Sequence, residues 1–282
     1  MTTARTTAPR AKAARAGARA SDVAVHAGGV AAFLWPFFVP HAAGTENGAH
    51  GADAPWLFAV LGALLVFVAV AELRAGRMDA KQIAALGVLA AINSVLRLPG
   101  AFAGAGLMYV LPILCGATFG ARFGFMLGAT SMAASGFLTG GIGPWLPFQM
   151  WALGWVGAGG AIARHVGNAP GRGNNAMRAK IAILAAYGWF AGLAFGALMN
   201  LWFWPFMRSG SPLAYAPGLG AHATASRYWH FYLVTSLAWD SARAIGNAAI
   251  VVVLGRAMLG VLERFRTRLH VRWAGSSIPT YE

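Results

Sequence analysis

Apolar segments long enough to cross a lipid bilayer recur along this chain of 282 residues. A transmembrane helix needs about 20 predominantly apolar residues, and segments of this kind follow one another over residues 23–262. Hydrophobic residues make up 58% of the chain and charged residues only 11%, whereas a soluble domain carries about 25% charged residues. The sequence therefore predicts an all-α integral membrane protein.

Eight of these segments are predicted to form membrane-spanning helices. Six of them form a core, and two extra transmembrane helices precede it on the N-terminal side. The fourth helix is short for a bilayer, so we expect it to be shielded by protein or partly re-entrant. The expected ranges are 23–41, 55–73, 80–98, 107–119, 122–139, 145–163, 180–206 and 228–262.

The positions of the basic residues give the predicted helices an orientation. The formal net charge is +14, and most Arg and Lys lie in the tails and in the loops 74–81, 164–180 and 256–272. The loops predicted for the opposite side hold only Arg208 and Arg227, with Arg97 at their border. Because cytoplasmic loops are enriched in Lys and Arg, we expect a multi-pass protein of the cell membrane with both termini in the cytoplasm. This pattern also argues against nucleic acid as a partner.

Composition divides the chain into four parts. Residues 1–22 are rich in Ala, Arg and Thr and have little to bury, so we expect a disordered cytoplasmic tail. Residues 23–76 hold the two-helix N-terminal extension, and residues 77–268 hold the six-helix membrane core. Residues 269–282 are expected to be a second cytoplasmic tail. The first apolar run begins behind a long basic tail, and we therefore expect a retained anchor rather than a signal peptide.

Several signatures of catalysis are absent from the sequence. It contains no GxxxxGK[ST] loop for ATP phosphates, no HExxH or close His/Cys cluster for a metal, and no GxSxG nucleophile motif. The single cysteine, Cys115, excludes a disulfide within the chain. We therefore expect a protein that is not an enzyme and that has no metal or organic cofactor of its own.

A glycine-rich turn at 140–144 leads into an apolar helix that is rich in tryptophan. The helix carries Trp145, Trp151 and Trp155 and one amide, Gln149. Glycine lets the backbone approach a ligand closely, so the combination is typical of the lip of a small-molecule pocket. The alternative is a tight outer loop followed by interfacial tryptophans, which are common in membrane proteins.

Polar side chains inside membrane helices are costly and are therefore candidates for function. Asp240, Arg243 and Asn247 share one face of the last predicted helix because they are spaced by three and four residues. Asp240 and Arg243 can neutralise each other, so they are either a structural ion pair or a ligand-orienting pair. The sequence leaves both interpretations open.

Four more candidate binding residues lie near the predicted outer ends of the helices. Asn93 and Arg97 are one turn apart in the third helix, and Asn200 lies in the seventh. Trp229 lies at the start of the eighth helix. For an isolated aromatic residue such as Trp229, an interfacial belt is the alternative interpretation.

Small residues recur at every third or fourth position in several predicted helices. Such stripes let helix backbones pack closely in lipid, where no hydrophobic effect drives association. Internal packing explains most of them, and the third helix is the one that we expect to meet a partner. The stripes are Gly116, Gly120, Gly124 and Gly128; Gly188, Gly192 and Gly196; and, in the third helix, Ala80, Ala84, Gly87 and Ala91.

Three segments of the core together resemble a known family. They are AKQIAALGVLAAINSVLRLPG, YVLPILCGATFGARFGFMLGATSMAASGFLTGGIGPWLPFQMWALGWVGAGG and LAWDSARAIGNAAIVVVLGRAMLGVLERF. Residues 78–268 are similar to the substrate-binding (S) component of energy-coupling factor (ECF) vitamin transporters. The resemblance implies a six-helix S-component-like core that binds a vitamin or vitamin precursor near the outer face.

The resemblance also implies partners and residue roles. The partners are a transmembrane coupling protein (T component), two ATPase subunits that drive uptake, and the lipid bilayer. The turn 98–106 and the loop 140–147 would gate the site. The docking stripe for the coupling protein would be Ala80, Ala84, Gly87 and Ala91. The residues facing the substrate would include Gln149, Asn200, Trp229, Asp240 and Arg243. The sequence itself adds Asn93, Arg97 and Trp145 as substrate-binding candidates.

Three points stay open in the sequence. The many tryptophans favour a flat aromatic or large ring as ligand, and a corrinoid, thiamine or its pyrimidine precursor all fit. The N-terminal extension, 23–76, has no counterpart in the usual six-helix unit. The alternative function is a stand-alone proton-coupled transporter of small molecules in which Asp240 exchanges a proton.

Overall fold

The computed structural model of the chain describes residues 23–38, 54–74, 78, 80–98, 107–164, 173–207 and 211–269. Every regular element within these ranges is a helix, which confirms the predicted all-α class. The two predicted tails, apart from Leu269, and the predicted gating turn beyond Leu98 lie outside the described residues.

Nine α-helices can be followed through the described residues. Short 3₁₀ turns end α1 at Trp35–Phe37, extend α6 over Gly160–Ala163 and extend α7 over Trp204–Phe206. The helices are α1 (Val23–Phe37), α2 (Ala54–Arg74), α3 (Ala80–Val95), α4 (Leu107–Phe119), α5 (Ala121–Thr139), α6 (Leu146–Gly159), α7 (Gly173–Phe203), α8 (Ala221–Thr235) and α9 (Leu237–Leu269).

Two of the described helices are long and apolar enough to cross a membrane. The qualifying segments are Asn174–Phe206, in α7 and its extension, and Leu237–Thr267 in α9. Shorter apolar helices occur at α1, α3 and α4 and over Pro55–Phe67 of α2. Length and composition thus support membrane association through α7 and α9, and the eight-span arrangement stays a prediction.

The prediction of a single last helix over 228–262 is wrong. The chain forms α8 and α9 instead, with a break at Ser236. The Ser236 hydroxyl bonds to the side chain of Asn200 at 2.7 Å, and Thr235 bonds back to the carbonyl of Phe231. Ser and Thr hydroxyls compete in this way with regular helix geometry. The seventh helix also begins earlier than predicted, at Gly173 rather than at residue 180.

Helix α4 lies in the middle of the bundle. Ten of its 13 residues are buried, and it packs against α5, α6 and α9. This burial agrees with the expectation that the short fourth segment is shielded by protein. Pro112 lies inside the helix.

Glycines bring α4, α5 and α6 into backbone contact. A Cβ atom added at Gly116 or Gly124 would collide with the carbonyl of Gly157. One added at Gly128 would collide with the carbonyl of Leu153. The stripe in the fourth and fifth segments is therefore an internal packing surface, as close approach of helix backbones requires.

The first helix of the N-terminal extension is attached to the core through α6. The indole Nε1 of Trp151 donates to the carbonyl of Val25 at 3.0 Å, and that of Trp155 donates to Nδ1 of His26 at 3.0 Å. Gly29 leaves room for both indoles. Two of the three tryptophans predicted to line a pocket lip therefore hold α1 instead.

Contacts between helices define two ends of the bundle. At one end, Arg97, which lies just after α3, binds Ser135 of α5, and Asn200 of α7 binds Ser236, which directly precedes α9. We call this the Arg97 end. At the other end, Arg266 of α9 binds the last turn of α4, and we call it the Arg266 end.

Candidate functional site

The interface between α7 and α9 places glycines against polar side chains. Gly196 faces Asp240, and a Cβ atom at position 196 would collide with the carboxylate. Two turns away, Gly188 faces Asn247, whose Nδ2 donates to the Gly188 carbonyl at 3.4 Å. The glycine stripe of α7 and the polar face of α9, both recognised in the sequence, therefore fit each other inside the protein.

Asp240 and Arg243 form a buried ion pair. Arg243 Nη1 lies 2.6 Å from Asp240 Oδ1, and the two side chains are 14% and 4% exposed. The same Nη1 donates to the carbonyl of Gly192 on α7 at 3.1 Å. Since breaking a buried pair leaves a charge uncompensated, each of these side chains depends on the other for its place in the interface.

Two aromatic rings enclose the guanidinium of Arg243. Its Cζ lies 5.7 Å from the ring centroid of Tyr109 and 5.4 Å from that of Phe195. The two rings meet edge to face with their centroids 5.0 Å apart. Rings at this distance stabilise a cation by cation–π attraction. Sequence reasoning missed both residues, because one aromatic residue in an apolar helix carries no distinguishing signal.

Asn93 is fully buried between α3 and its neighbours. Its Nδ2 donates to the carbonyl of Met108 at 3.2 Å and to Oγ of Ser131 at 2.8 Å. Ser94 adds a bond from its Oγ to the carbonyl of Ser131 at 2.9 Å. Asn93 thus holds α3 on α4 and α5, which is a structural role in addition to any contact with a ligand.

Arg97 lies four residues after Asn93, just past the end of α3 and at the Arg97 end of the bundle. Its Nη1 donates to Oγ of Ser135 at 2.9 Å. Ser131 and Ser135 are four residues apart on α5 and face α3 together. Sequence reasoning missed these serines, although their helical spacing is a signal by which they could have been found.

Several buried oxygen acceptors have no hydrogen-bond partner among the described residues. They lie on α3, α6 and α9, and the donor Nε of Arg243 likewise has no hydrogen-bond partner among the described residues. An unsatisfied buried polar group costs about 1–3 kcal/mol, so groups of this kind are able to bind donors of a ligand or of water. The acceptors are Asn93 Oδ1, Gln149 Oε1, Asp240 Oδ2 and Asn247 Oδ1.

Trp145 and Asn200 lie at the Arg97 end. Trp145 Nε1 donates to the carbonyl of Gly141 at 3.2 Å, which closes the glycine-rich turn, and its ring meets Trp202 edge to face. Asn200 Nδ2 donates to Oγ of Ser236 at the break between α8 and α9. The side chains of Trp145 and Asn200 therefore form hydrogen bonds with a turn and with a helix end, respectively.

Trp229 lies on α8 beside Tyr232, whose hydroxyl interacts with Asp240. The side chain of Trp229 is 56% exposed and stacks on Tyr232, with the ring centroids 5.6 Å apart. Phe231, two residues later and so about 200° round the helix, faces the core. The Trp229 side chain is therefore largely exposed on α8, and its role in substrate binding stays a prediction.

The predicted docking stripe of α3 lies on an exposed face of the bundle. All four of its residues are exposed, and a Cβ atom added at Gly87 would meet nothing within 4 Å. Val88 and Ile92 are also exposed on this helix. The stripe differs in this respect from the glycines of α7, which are covered by α9.

No family model, curated protein or solved structure matches this chain. Within the part of the chain that the structure describes, no group of three or more His, Cys, Asp or Glu is placed to hold a metal ion.

Proposed function

We propose that the chain is the substrate-binding subunit of an ECF-type ABC transporter, a multi-pass protein of the cell membrane. Its core, residues 77–268, binds a vitamin or vitamin precursor from the Arg97 end, which faces outward. A coupling protein and two ATPases drive uptake. The distribution of basic loops and the resemblance of the three core segments support this orientation and this family.

The observation that carries the proposal is the buried charge pair of α9 with its unpaired atoms. Asp240 Oδ2 and Arg243 Nε form no regular hydrogen bond with the described residues although both are buried, and the hydroxyl of Tyr232 faces the Asp240 carboxylate. Nearly all buried polar groups in proteins are hydrogen-bonded. A ligand that offers a donor to Asp240 and an acceptor to Arg243 removes the cost of leaving these atoms unpaired.

The exposed stripe of α3 supports the docking of a second membrane protein. Small residues on an exposed helix face let another helix approach closely in lipid, and Ala84 and Gly87 lie on such a face. Because the sequence has no ATP-binding loop, any ATP that drives uptake has to be hydrolysed by other subunits.

Native mass spectrometry of the full chain with a panel of vitamins and their precursors tests the ligand. We expect one compound to remain bound at one copy per protein. The variant Asn247→Asp adds a negative charge two turns from Asp240, on the same face of α9 that packs on the glycines of α7. We expect this variant to bind the ligand more weakly than the wild type does. Failure of every compound in the panel to bind would contradict the proposal.

A second candidate function is stand-alone proton-coupled transport. The buried carboxylate of Asp240, with one oxygen unpaired, favours it, because intramembrane carboxylates serve as proton relays. Vesicles that contain only this chain distinguish the two functions. Uptake driven by a pH gradient without ATPases would support the second candidate, and uptake only with partners and ATP would support the first.

A further inference from the structure

Helix α8 lies across the seam between α7 and α9 at the position of Asp240. The hydroxyl of Tyr232 faces the Asp240 carboxylate and interacts with it, and the hydroxyl of Tyr228 donates to the carbonyl of Ala197 on α7. Ala197 adjoins Gly196, the residue that faces the same carboxylate. Two tyrosines of one helix thus contact both sides of the seam beside an acid that is only 3% exposed.

Few side chains attach α8 to the rest of the protein. Of its 15 residues only Phe231 and Tyr232 are buried. The rings of Tyr228 and Phe231 pack on Trp204, with centroids 5.3 and 6.4 Å from that of the Trp204 ring. These residues of α8 are spaced by three and four and share one face of the helix. Segments with few buried apolar contacts open locally at the lowest free-energy cost, so α8 is suited to movement as a unit.

The chain is able to bend at both ends of α8. Ser236 ends the helix with φ of −124° and ψ of −27°, outside the values of a regular helix. At the other end Gly220 directly precedes the helix, and Gly218 has a φ of 85°, which favours glycine. Hinges consist of a few loop or helix-terminal residues that absorb changes in backbone angles. Both connections of α8 fit this description.

A cavity of about 460 Å³ lies beside the N-terminal half of α8. Ala221, Thr224 and Tyr228 of α8 are part of its lining, together with Trp204 and Leu219. Close packing of a protein interior opposes the movement of a helix, and this half of α8 lacks such packing on the cavity side. The helix therefore has space beside it as well as a bend at each end.

We propose that α8 is a lid that moves on these two connections and controls access to Asp240. In the closed position, which the structure shows, Tyr228 and Tyr232 hold the helix across the seam. In the open position both hydroxyls are released, and the Asp240 carboxylate becomes accessible from the Arg97 end. The inference rests on the proposed function and deepens it, because it names the element that moves before a ligand reaches Asp240.

Distance measurements between two spin labels test the lid. Ser226→Cys places one label on an exposed position of α8, and Val253→Cys places the other on an exposed position of α9. The native Cys115 is buried, so we expect it to stay unlabelled. Double electron–electron resonance on the full chain in lipid nanodiscs, without any ligand, gives the populations of the closed and open distances. We expect a main closed population and a minor open one.

The double variant Tyr228→Phe, Tyr232→Phe keeps both rings and removes both hydroxyls. We expect the ratio of open to closed molecules to rise about 25-fold, because a net hydrogen bond contributes about a fivefold factor. The matched control is Tyr187→Phe, which removes a hydroxyl that joins α7 to the carbonyl of Val156 on α6 at 2.9 Å. This control should leave the ratio unchanged. An unchanged ratio in the double variant, or an equal rise in the control, would overturn the proposal.

The double variant changes the buried Tyr232 and so carries a risk of misfolding. The single variant Tyr228→Phe changes a half-buried side chain and leaves the contact between Tyr232 and Asp240 in place. We expect it to raise the ratio of open to closed molecules about fivefold, and an unchanged ratio would contradict the lid. These measurements need no vitamin. A ligand found in the vitamin panel with a fixed α8 would therefore overturn only the lid, and an α8 that opens without any ligand in the panel would overturn only the proposed function.

Discussion

The carboxylate of Asp240 occupies the space that a side chain at Gly196 would need. This contact joins the two longest helices, α7 and α9, and it places the acid where Arg243 can reach it. Arg243 in turn binds the carbonyl of Gly192, one turn from Gly196. The glycine row of α7 therefore makes it possible for α9 to carry buried charge.

The first prediction concerns Gly196→Ala. The added methyl group would push the Asp240 carboxylate away from Arg243, and overpacking of this kind costs about 1–3 kcal/mol. The matched control is Gly260→Ala in α9, where an added Cβ atom meets nothing within 4 Å. Thermal unfolding in detergent should show a lower midpoint for Gly196→Ala only. Equal unfolding midpoints for the two variants would show that the contact between Gly196 and Asp240 does not contribute to stability.

The second prediction separates a structural ion pair from a ligand-orienting one. Arg243→Ala alone leaves Asp240 uncompensated, which typically costs about 3–5 kcal/mol, so we expect poor expression. The double variant Asp240→Asn, Arg243→Gln removes both charges and should recover expression. Its ligand should bind about 1.5–3 kcal/mol more weakly, as for a lost charged hydrogen bond. If the double variant is well expressed and binds the ligand with wild-type affinity, the role of the Asp240–Arg243 pair is purely structural.

The third prediction concerns the rings around Arg243. Phe195→Leu keeps an apolar side chain but removes one aromatic face from the guanidinium, 5.4 Å away. We expect a loss of about 0.5–2 kcal/mol in the free energy of unfolding. Phe190→Leu, the same change at an exposed position of α7, is the control and should have a smaller effect. The cation–π account is wrong if the two variants unfold alike.

The fourth prediction is that both termini are cytoplasmic. Reporter fusions at Glu46 and after Glu282 should then report opposite sides of the membrane, because the basic loops fix the orientation. Fusions at the two positions that report the same side would contradict the eight-span arrangement.

Spacing in the sequence predicted the two faces that meet at the α7–α9 interface. Glycines at 188, 192 and 196 and the polar residues Asp240, Arg243 and Asn247 repeat with helical period, which is visible without a structure. Spacing could not show that the glycines of α7 pack on the polar residues of α9. Nothing in the sequence marked Tyr109 and Phe195 as neighbours of Arg243, because aromatic residues are common in apolar helices.

Other features depended on tertiary contacts that a sequence does not display. The break at Ser236 lies in a stretch with neither Gly nor Pro, and the Ser236 hydroxyl there bonds to Asn200, 36 residues earlier in the chain. Trp151 and Trp155 were predicted to line a pocket because they lie near a glycine-rich turn. They bind α1 instead, a helix more than 120 residues away in the chain.

Purification of the tagged chain from its native membranes tests the central claim most directly. We expect a coupling membrane protein and two ATPases to accompany the wild type. The double variant Ala84→Leu, Gly87→Leu should lose them, because leucine side chains prevent close approach of a helix to the stripe. The control Ala59→Leu, Gly62→Leu makes the same changes at the same spacing on α2 and should retain them. Absence of ATPases from the wild type, or their retention by the stripe variant, would contradict the account.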